Sequence, residues 1–165
     1  MYQLKKISKT SIPEALEKAE RYRLLNEPRL AESICQDILE ADPQNTKAVV
    51  IMLLALTDEF TSSAPADVNE AKRLLSRLPD EYERFYYGGI ICERKGKAIL
   101  EKVVPDAVFI AYEWLMDAME LYEKAEAIRP PGNDDALLRW NTCARIINRY
   151  SLKPRDEIYV EPLLE

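Results

Sequence analysis

The chain has 165 residues and a mass of 19.0 kDa, room for one domain or a short run of repeats. That is long enough to bury about two-thirds of its unfolded surface without a metal or disulfide staple. It has no histidine and only four glycines, Gly88, Gly89, Gly96 and Gly132, which removes imidazole-based triads, His-containing zinc sites and glycine-rich phosphate loops. A net charge of −6 and a pI near 5.0 argue against a general nucleic-acid binder, while 47% hydrophobic and 32% charged residues read as a soluble globular chain.

The pattern is helical nearly throughout, and prolines punctuate it at Pro13, Pro28, Pro43, Pro65, Pro79, Pro105, Pro130 and Pro131. Residues 1–11 read as an N-terminal extension. Lys5 and Lys6 are not followed by the apolar stretch of a secretory signal, and Tyr2-Gln3-Leu4 has the pattern of a short extended segment. Ser11 and Glu14 have capping-box spacing, after which Ala15, Ala19, Tyr22 and Leu25 recur on one helical face. Asn26-Glu27-Pro28 ends that helix, and Leu30, Ile34, Ile38 and Ala41 carry the second. Asp42-Pro43-Gln44-Asn45 is a turn. The third helix, Val49 to Phe60, is apolar nearly all round and therefore expected to be central. Its apolar run, Ala48 to Leu56, is far short of the about 20 residues that cross a bilayer.

Thr61 to Pro65 is a polar loop, and Asp67 with Glu70 offers a cap for a helix ending near Leu78. Pro79-Asp80 starts a helix reaching about Gly96, and Lys97 to Val104 is expected to form a short helix of its own. The longest helix, Asp106 to Ile128, is predicted to turn Phe109, Tyr112, Met116, Met119 and Tyr122 inward, with Glu113, Asp117, Glu120 and Lys124 outside. Pro130-Pro131-Gly132-Asn133 stops it. In the last helix Ala136, Trp140, Cys143, Ile147 and Tyr150 form one stripe. Residues 151–165 contain two prolines and no helical period, with Ile158-Tyr159-Val160 as the other candidate strand. The expected fold is all-α: paired antiparallel helices joined by short turns over residues 12–150.

Within this pattern, the segment from Ala15 to Pro43 resembles one tetratricopeptide repeat, a helix-turn-helix unit of about 34 residues. Ala19 takes the small position of the first helix and Tyr22 the aromatic one. Ala31 takes the small position of the second helix, Cys35 the large one and Pro43 the terminal proline. Ala15 and Ile38 depart from the family, which commonly has tryptophan and alanine there. A second unit, from near Thr46, fits by Met52, Leu53, Leu56, Ala71, Leu75 and Leu78, with extra residues around 61–65. A third fits by Phe85, Gly88, Gly89, Cys92 and Gly96, then by Ala118, Tyr122, Ala125 and Pro130 after an insertion around 97–108. Ala136, Trp140 and Cys143 look like a divergent capping helix. The resemblance implies a superhelical array of about three irregular repeats plus a cap, since one helix pair cannot bury its own apolar face and stacked pairs can. The alternative is an irregular helical bundle with chance spacing.

Little in the sequence points to catalysis. Glu113/Asp117, Glu120/Lys124 and Asp134/Asp135 fit solvated faces or caps, and without histidine no serine or cysteine has a plausible base beside it. No catalytic residue, cofactor site or metal site is expected. Cys35, Cys92 and Cys143 are odd in number and lack Cys-x-x-Cys spacing, as expected for buried thiols in a reducing cytosol. Tyr82, Phe85, Tyr86 and Tyr87 cannot all share one helix face. With Phe85 in the packing position, Tyr86 and Tyr87 either reach a binding groove or pack under the insertion. Arg139, Arg145, Arg149, Lys153 and Arg155, with no acid among them, make the stretch Ala136 to Arg155 basic, which reads as a solvated face, a thin nucleic-acid site or a dock for an acidic partner or the acidic tail.

The family resemblance further implies a concave groove lined by the first helix of each repeat. Its candidate residues here are Glu20, Arg23, Leu54, Asp58, Tyr86, Tyr87, Arg94 and Asn141. The positions at which some family members clamp a C-terminal carboxylate match Leu16, Glu20, Ile51, Glu83 and Tyr87, none of them Lys, Arg or Asn, so that mode is not expected. The resulting expectation is a cytoplasmic, non-catalytic adaptor that binds a protein or peptide, with no nucleic-acid or membrane partner. The alternatives are a secretion-type chaperone holding a client segment, or a structural subunit of a larger assembly. The apolar tail, 151–165, is expected to dock through Tyr159 and Leu163 on its own array or on a second copy as a homodimer.

Overall fold

The computed structural model describes residues 1–155, which form seven α-helices. These are α1 (Ile12–Leu24), α2 (Pro28–Ala41), α3 (Thr46–Asp58), α4 (Val68–Leu75), α5 (Glu81–Glu101), α6 (Ala107–Ala127) and α7 (Asp135–Tyr150). The ends follow from local chemistry. Asn45, Asp67 and Asp80 each accept a first-turn backbone N–H, at 3.0, 2.9 and 3.3 Å. Pro28 occupies the first turn of α2, where its missing N–H costs nothing. Asn26 terminates α1 in the left-handed region, at φ 63°. Ser11 departs from the expected capping box: its hydroxyl donates to the Ser8 carbonyl at 2.8 Å, and a 3-10 turn, Lys9–Ser11, leads into α1 instead.

Each helix packs on the next in sequence, and α3 also lies against α1 and α5. The odd-numbered helices α1, α3 and α5 are therefore neighbours in one layer. Two apolar clusters fill the interior. One joins α1–α4 through Cys35, Ile38, Val49, Leu53, Leu56, Phe60 and Leu78. The other joins α5–α7 through Tyr82, Ala111, Leu115, Ala118, Tyr122, Ala136 and Cys143. α3 is as central as its all-round apolar character requires, with eight of its 13 residues buried. All three cysteines are free and buried, and burial pushes Cys35 and Cys143 up to about 12.

Several sequence expectations change. Gly96 does not end α5; the helix continues to Glu101, so Lys97 to Val104 is not a separate helix. The reason is a close approach. A side chain at Gly96 would meet Leu115, Trp114 and the Ala111 carbonyl, so the glycine admits α6 rather than breaking α5. The insertion thus lengthens both helices of the pair. The inward face of α6 is rotated from the expected one: Ala111, Leu115, Ala118, Met119 and Tyr122 are buried while Met116 is 41% exposed. Leu25, Leu30 and Tyr150 are likewise exposed rather than part of their stripes; in α2 it is Ala31, next to Leu30, that is fully buried. Tyr82, not Phe85, is the buried ring at the start of α5. No strand forms among the described residues; Tyr2 and Leu4 are exposed. The expected strand at Ile158-Tyr159-Val160 and the docking residues Tyr159 and Leu163 lie outside the described residues.

The chain leaves α7 through Ser151 in the left-handed conformation and buries Leu152. Arg155 then pairs with Asp106 at 2.9 Å and lies over the Phe109 ring. The end of α7 is thereby tied to the start of α6, as antiparallel packing requires.

Candidate functional site

The face shared by α1, α3 and α5 carries polar groups at helical spacing. Glu20 and Arg23 on α1, Lys47 and Asp58 on α3 with Ile51 and Leu54 between them, and Glu83, Tyr87 and Arg94 on α5 are spaced by three, four or seven residues, which keeps each set on one side of its helix. A surface pocket of about 300 Å³ opens between the three helices, lined by Glu20, Thr46, Lys47, Val50, Ile51, Glu83 and Tyr87. Its floor is apolar and its rim holds two acids and a lysine. Burial raises Glu83 above the usual carboxylate range, with Asp80 adding to the effect. Burial also pushes the Tyr87 hydroxyl up to about 12, so it stays neutral and able to donate.

One helical step further along the same face, the side chains lock together. Asp58 accepts a hydrogen bond from Arg94 through Oδ1 and forms an ion pair with Arg23, whose Nε lies 2.7 Å from Oδ2 without hydrogen-bond geometry. Arg94 also donates to Thr57 Oγ1 at 2.8 Å, so a single carboxylate ties α1, α3 and α5 together. Beside it on α5 lies Glu93, whose side chain is 0% exposed. Its Oε2 accepts the Tyr122 hydroxyl at 2.6 Å, and its Oε1 accepts Lys97 and, at 3.2 Å, Arg139 from α7. Burial opposes the charge on Glu93, but the hydrogen bonds from Lys97 and Tyr122 and the charges of Lys97 and Arg139 prevail and hold it below the usual range. The partner responds in kind: against burial, Glu93 and Tyr86 hold Arg139 above its ordinary value.

The predicted groove residues therefore divide. Glu20 and Tyr87 line the pocket, and Arg23, Asp58 and Arg94 form the adjoining network. Leu54 is half-buried beside them and offers its carbonyl to Arg94 at 3.4 Å. Tyr86 faces the second core instead, stacked on Tyr82 at 5.8 Å and tilted against Tyr122 at 6.1 Å. Neither ring packs under the 97–108 segment. Asn141 is half-buried on α7, and no side-chain hydrogen bond joins it to the others.

Sequence reasoning missed Glu93, Lys97, Thr57 and Arg139 as a group. A signal existed for the first two: Glu93 follows the apolar run Ile90-Ile91-Cys92 and precedes Lys97 by four positions, the spacing of a helical ion pair. Arg139 carried no such mark. Among the described residues no group of acids and cysteines could hold a metal ion, and no helix is long and apolar enough to cross a membrane. No family model, curated protein or solved structure matches the chain at a significant level.

Proposed function

We propose that the chain is a tetratricopeptide-like array whose first helices, α1, α3, α5 and α7, form a concave face that binds a segment of another protein. The observation that carries this reading is the pocket of about 300 Å³ shared by α1, α3 and α5. Its lining alternates apolar and charged side chains, as a peptide-binding surface needs, with apolar floor for affinity and polar rim for register. The small residues at the α5–α6 contact and the packing of every second helix, α1 on α3 and α3 on α5, support the same reading. The ligand is held without chemistry, and the role is that of an adaptor working in the cytoplasm.

The test is capture of interaction partners on the immobilised chain, repeated with Tyr87→Ala. Tyr87 is half-buried and lines the pocket, so its loss is expected to cost about 2 kcal/mol in affinity for the captured protein, read at a temperature where the variant, which also loses packing against both apolar clusters, is fully folded. Capture unchanged by Tyr87→Ala and by Ile51→Ser sinks the reading.

One observation favours a second reading, a fixed subunit of a larger assembly. Leu24, Leu25 and Leu30 are 75%, 64% and 42% exposed around the α1–α2 turn, an apolar patch of the kind that marks association. A complex of constant stoichiometry, broken by Leu24→Ser with Leu25→Ser and indifferent to Tyr87→Ala, would replace the adaptor by this role.

A further inference from the structure

The ion network beside the pocket is out of balance. Two carboxylates, Asp58 and Glu93, meet four cations, Arg23, Arg94, Lys97 and Arg139. Both oxygens of each carboxylate are already engaged: Asp58 by Arg23 and Arg94, Glu93 by Lys97, Arg139 and the Tyr122 hydroxyl. Each acid thus already faces two cations. The cations, in contrast, have N–H groups to spare, since a guanidinium carries five and an ammonium three. Lys97 and Arg139 are 37% and 32% exposed, so their free donors reach the surface. Arg94 sits among like charges: burial lowers its pKa, the charge of Asp58 opposes that, and Arg23 and Arg139 add smaller repulsions. A chain with net charge −6 thus holds a strip of surplus positive charge across α1, α3, α5 and α7.

We propose that this strip receives the carboxylates of an acidic segment of a partner protein, whose apolar side chains rest in the adjoining pocket on Ile51 and Tyr87. The proposal rests on the groove reading above and adds the partner's chemistry to it. The fit is one of charge and spacing. An incoming Asp or Glu supplies a further anion to Lys97 and Arg139, which share the single carboxylate of Glu93, in a partly dry setting where such a hydrogen bond is strong. Glu20 and Glu83 on the pocket rim repel a second acid there, so acidic positions belong at the network end and apolar or basic ones at the pocket end.

The test uses the full chain and a labelled synthetic peptide in which Asp and Glu alternate with Leu and Phe. Matched peptides carry Gln or Lys in place of the acids. The acidic peptide is expected to bind at least about tenfold tighter than the Gln form, with the Lys form weaker still, and the preference is expected to collapse at about 0.5 M salt. Because Arg139 also supports a buried carboxylate, Arg139→Gln is paired with Lys97→Gln, which leaves Arg139 and Tyr122 on Glu93. Lys97→Gln is expected to weaken the acidic peptide about three- to tenfold, to leave the Gln peptide unchanged, and to be rescued by Lys97→Arg. Equal binding of the three peptides, or binding of none, overturns the acidic preference. The groove itself stands or falls separately, on the capture experiment with Tyr87→Ala. If the full chain binds nothing while a chain ending at Arg155 binds the acidic peptide, the strip belongs to the chain's own terminal acids, and a partner as occupant is ruled out.

Discussion

The two halves of the molecule solve the same packing problem with different materials. The α1–α4 half is filled by large aliphatic side chains, with Ile38, Leu53, Leu56, Phe60 and Leu78 all but fully buried. Its charged link, Asp58, stays 23% exposed at the edge. The α5–α7 half is built from small residues around one large ring. Gly88, Gly89, Gly96, Ala111 and Ala118 let α5 and α6 approach closely, and Tyr122 fills the space they leave. That ring brings a hydroxyl inside, and Glu93 follows it in as acceptor. Aliphatic packing tolerates change in proportion to volume, whereas a close helix contact with a buried charge has no slack in shape or in hydrogen bonding. The second half is therefore expected to be the more fragile.

The largest expected effect is at Glu93. Glu93→Ala leaves Lys97 and Arg139 without their carboxylate and the Tyr122 hydroxyl without an acceptor, at a cost of about 3–5 kcal/mol in denaturant unfolding. Asp58→Ala, at the exposed edge of the other half, is expected to cost clearly less; equal losses would erase the contrast. Glu93 also sets a pH dependence. Its pKa is lowered in the folded state, so its contribution is complete above the unfolded value of about 4.3 and disappears as pH falls through the folded one. The parent is expected to lose stability relative to Glu93→Gln as the medium is acidified below about pH 4, and parallel stability curves would contradict the shift.

Next come the glycines. A Cβ at Gly89 would overlap the Tyr122 ring, which the Glu93 bond holds in place, so Gly89→Ala is expected to cost about 1–3 kcal/mol or more. At Gly88 the nearest atoms, on Leu121 and Leu75, stand at 3.4 and 3.5 Å. Gly88→Ala is therefore expected to gain up to about 1 kcal/mol from helix propensity. Opposite signs at adjacent positions, read by thermal melts, would locate the close contact at one residue.

Ala118 and Ala31 offer the matched test between halves. Both are fully buried. Ala118→Leu faces the tight α5–α6 contact and is expected to cost about 1–3 kcal/mol, with Ala31→Leu less, since the aliphatic neighbours there can shift. A melt of Ala118→Leu that matches the parent would show that this junction has room. The smallest effect is expected at the surface pair. Arg155→Ala removes an ion pair with both partners about half exposed and is expected to change stability by less than about 1 kcal/mol.

Helices and their breaks were legible because they depend on neighbours in sequence. Pro28, Asn26, Asn45, Asp67 and Asp80 act within a turn of where they stand. The failures have the opposite character. Gly96 read as a stop, yet its meaning lies in Leu115 and Trp114 on another helix. Met116 read as core, because a sequence gives the period of an apolar stripe more reliably than which edge of it meets the partner.

The candidate site divides in the same way. The family resemblance places Glu20, Arg23, Leu54, Asp58, Tyr87 and Arg94 on a common face, with the helical period giving only each residue's direction about its own axis. Tyr86, the next residue to Tyr87 on the same helix, is wrongly placed there, because its position between Tyr82 and Tyr122 is set by α6. The all-helical class and most helix breaks were thus determined by the sequence, whereas the end of α5 and the grouping of charges around Glu93 were not. That Asp58 is shared by two arginines, and that Glu93 is buried by Lys97, Tyr122 and Arg139, was decided by tertiary structure. Pairing between charges on different helices depends on axial offset and crossing angle, and no local period encodes either quantity.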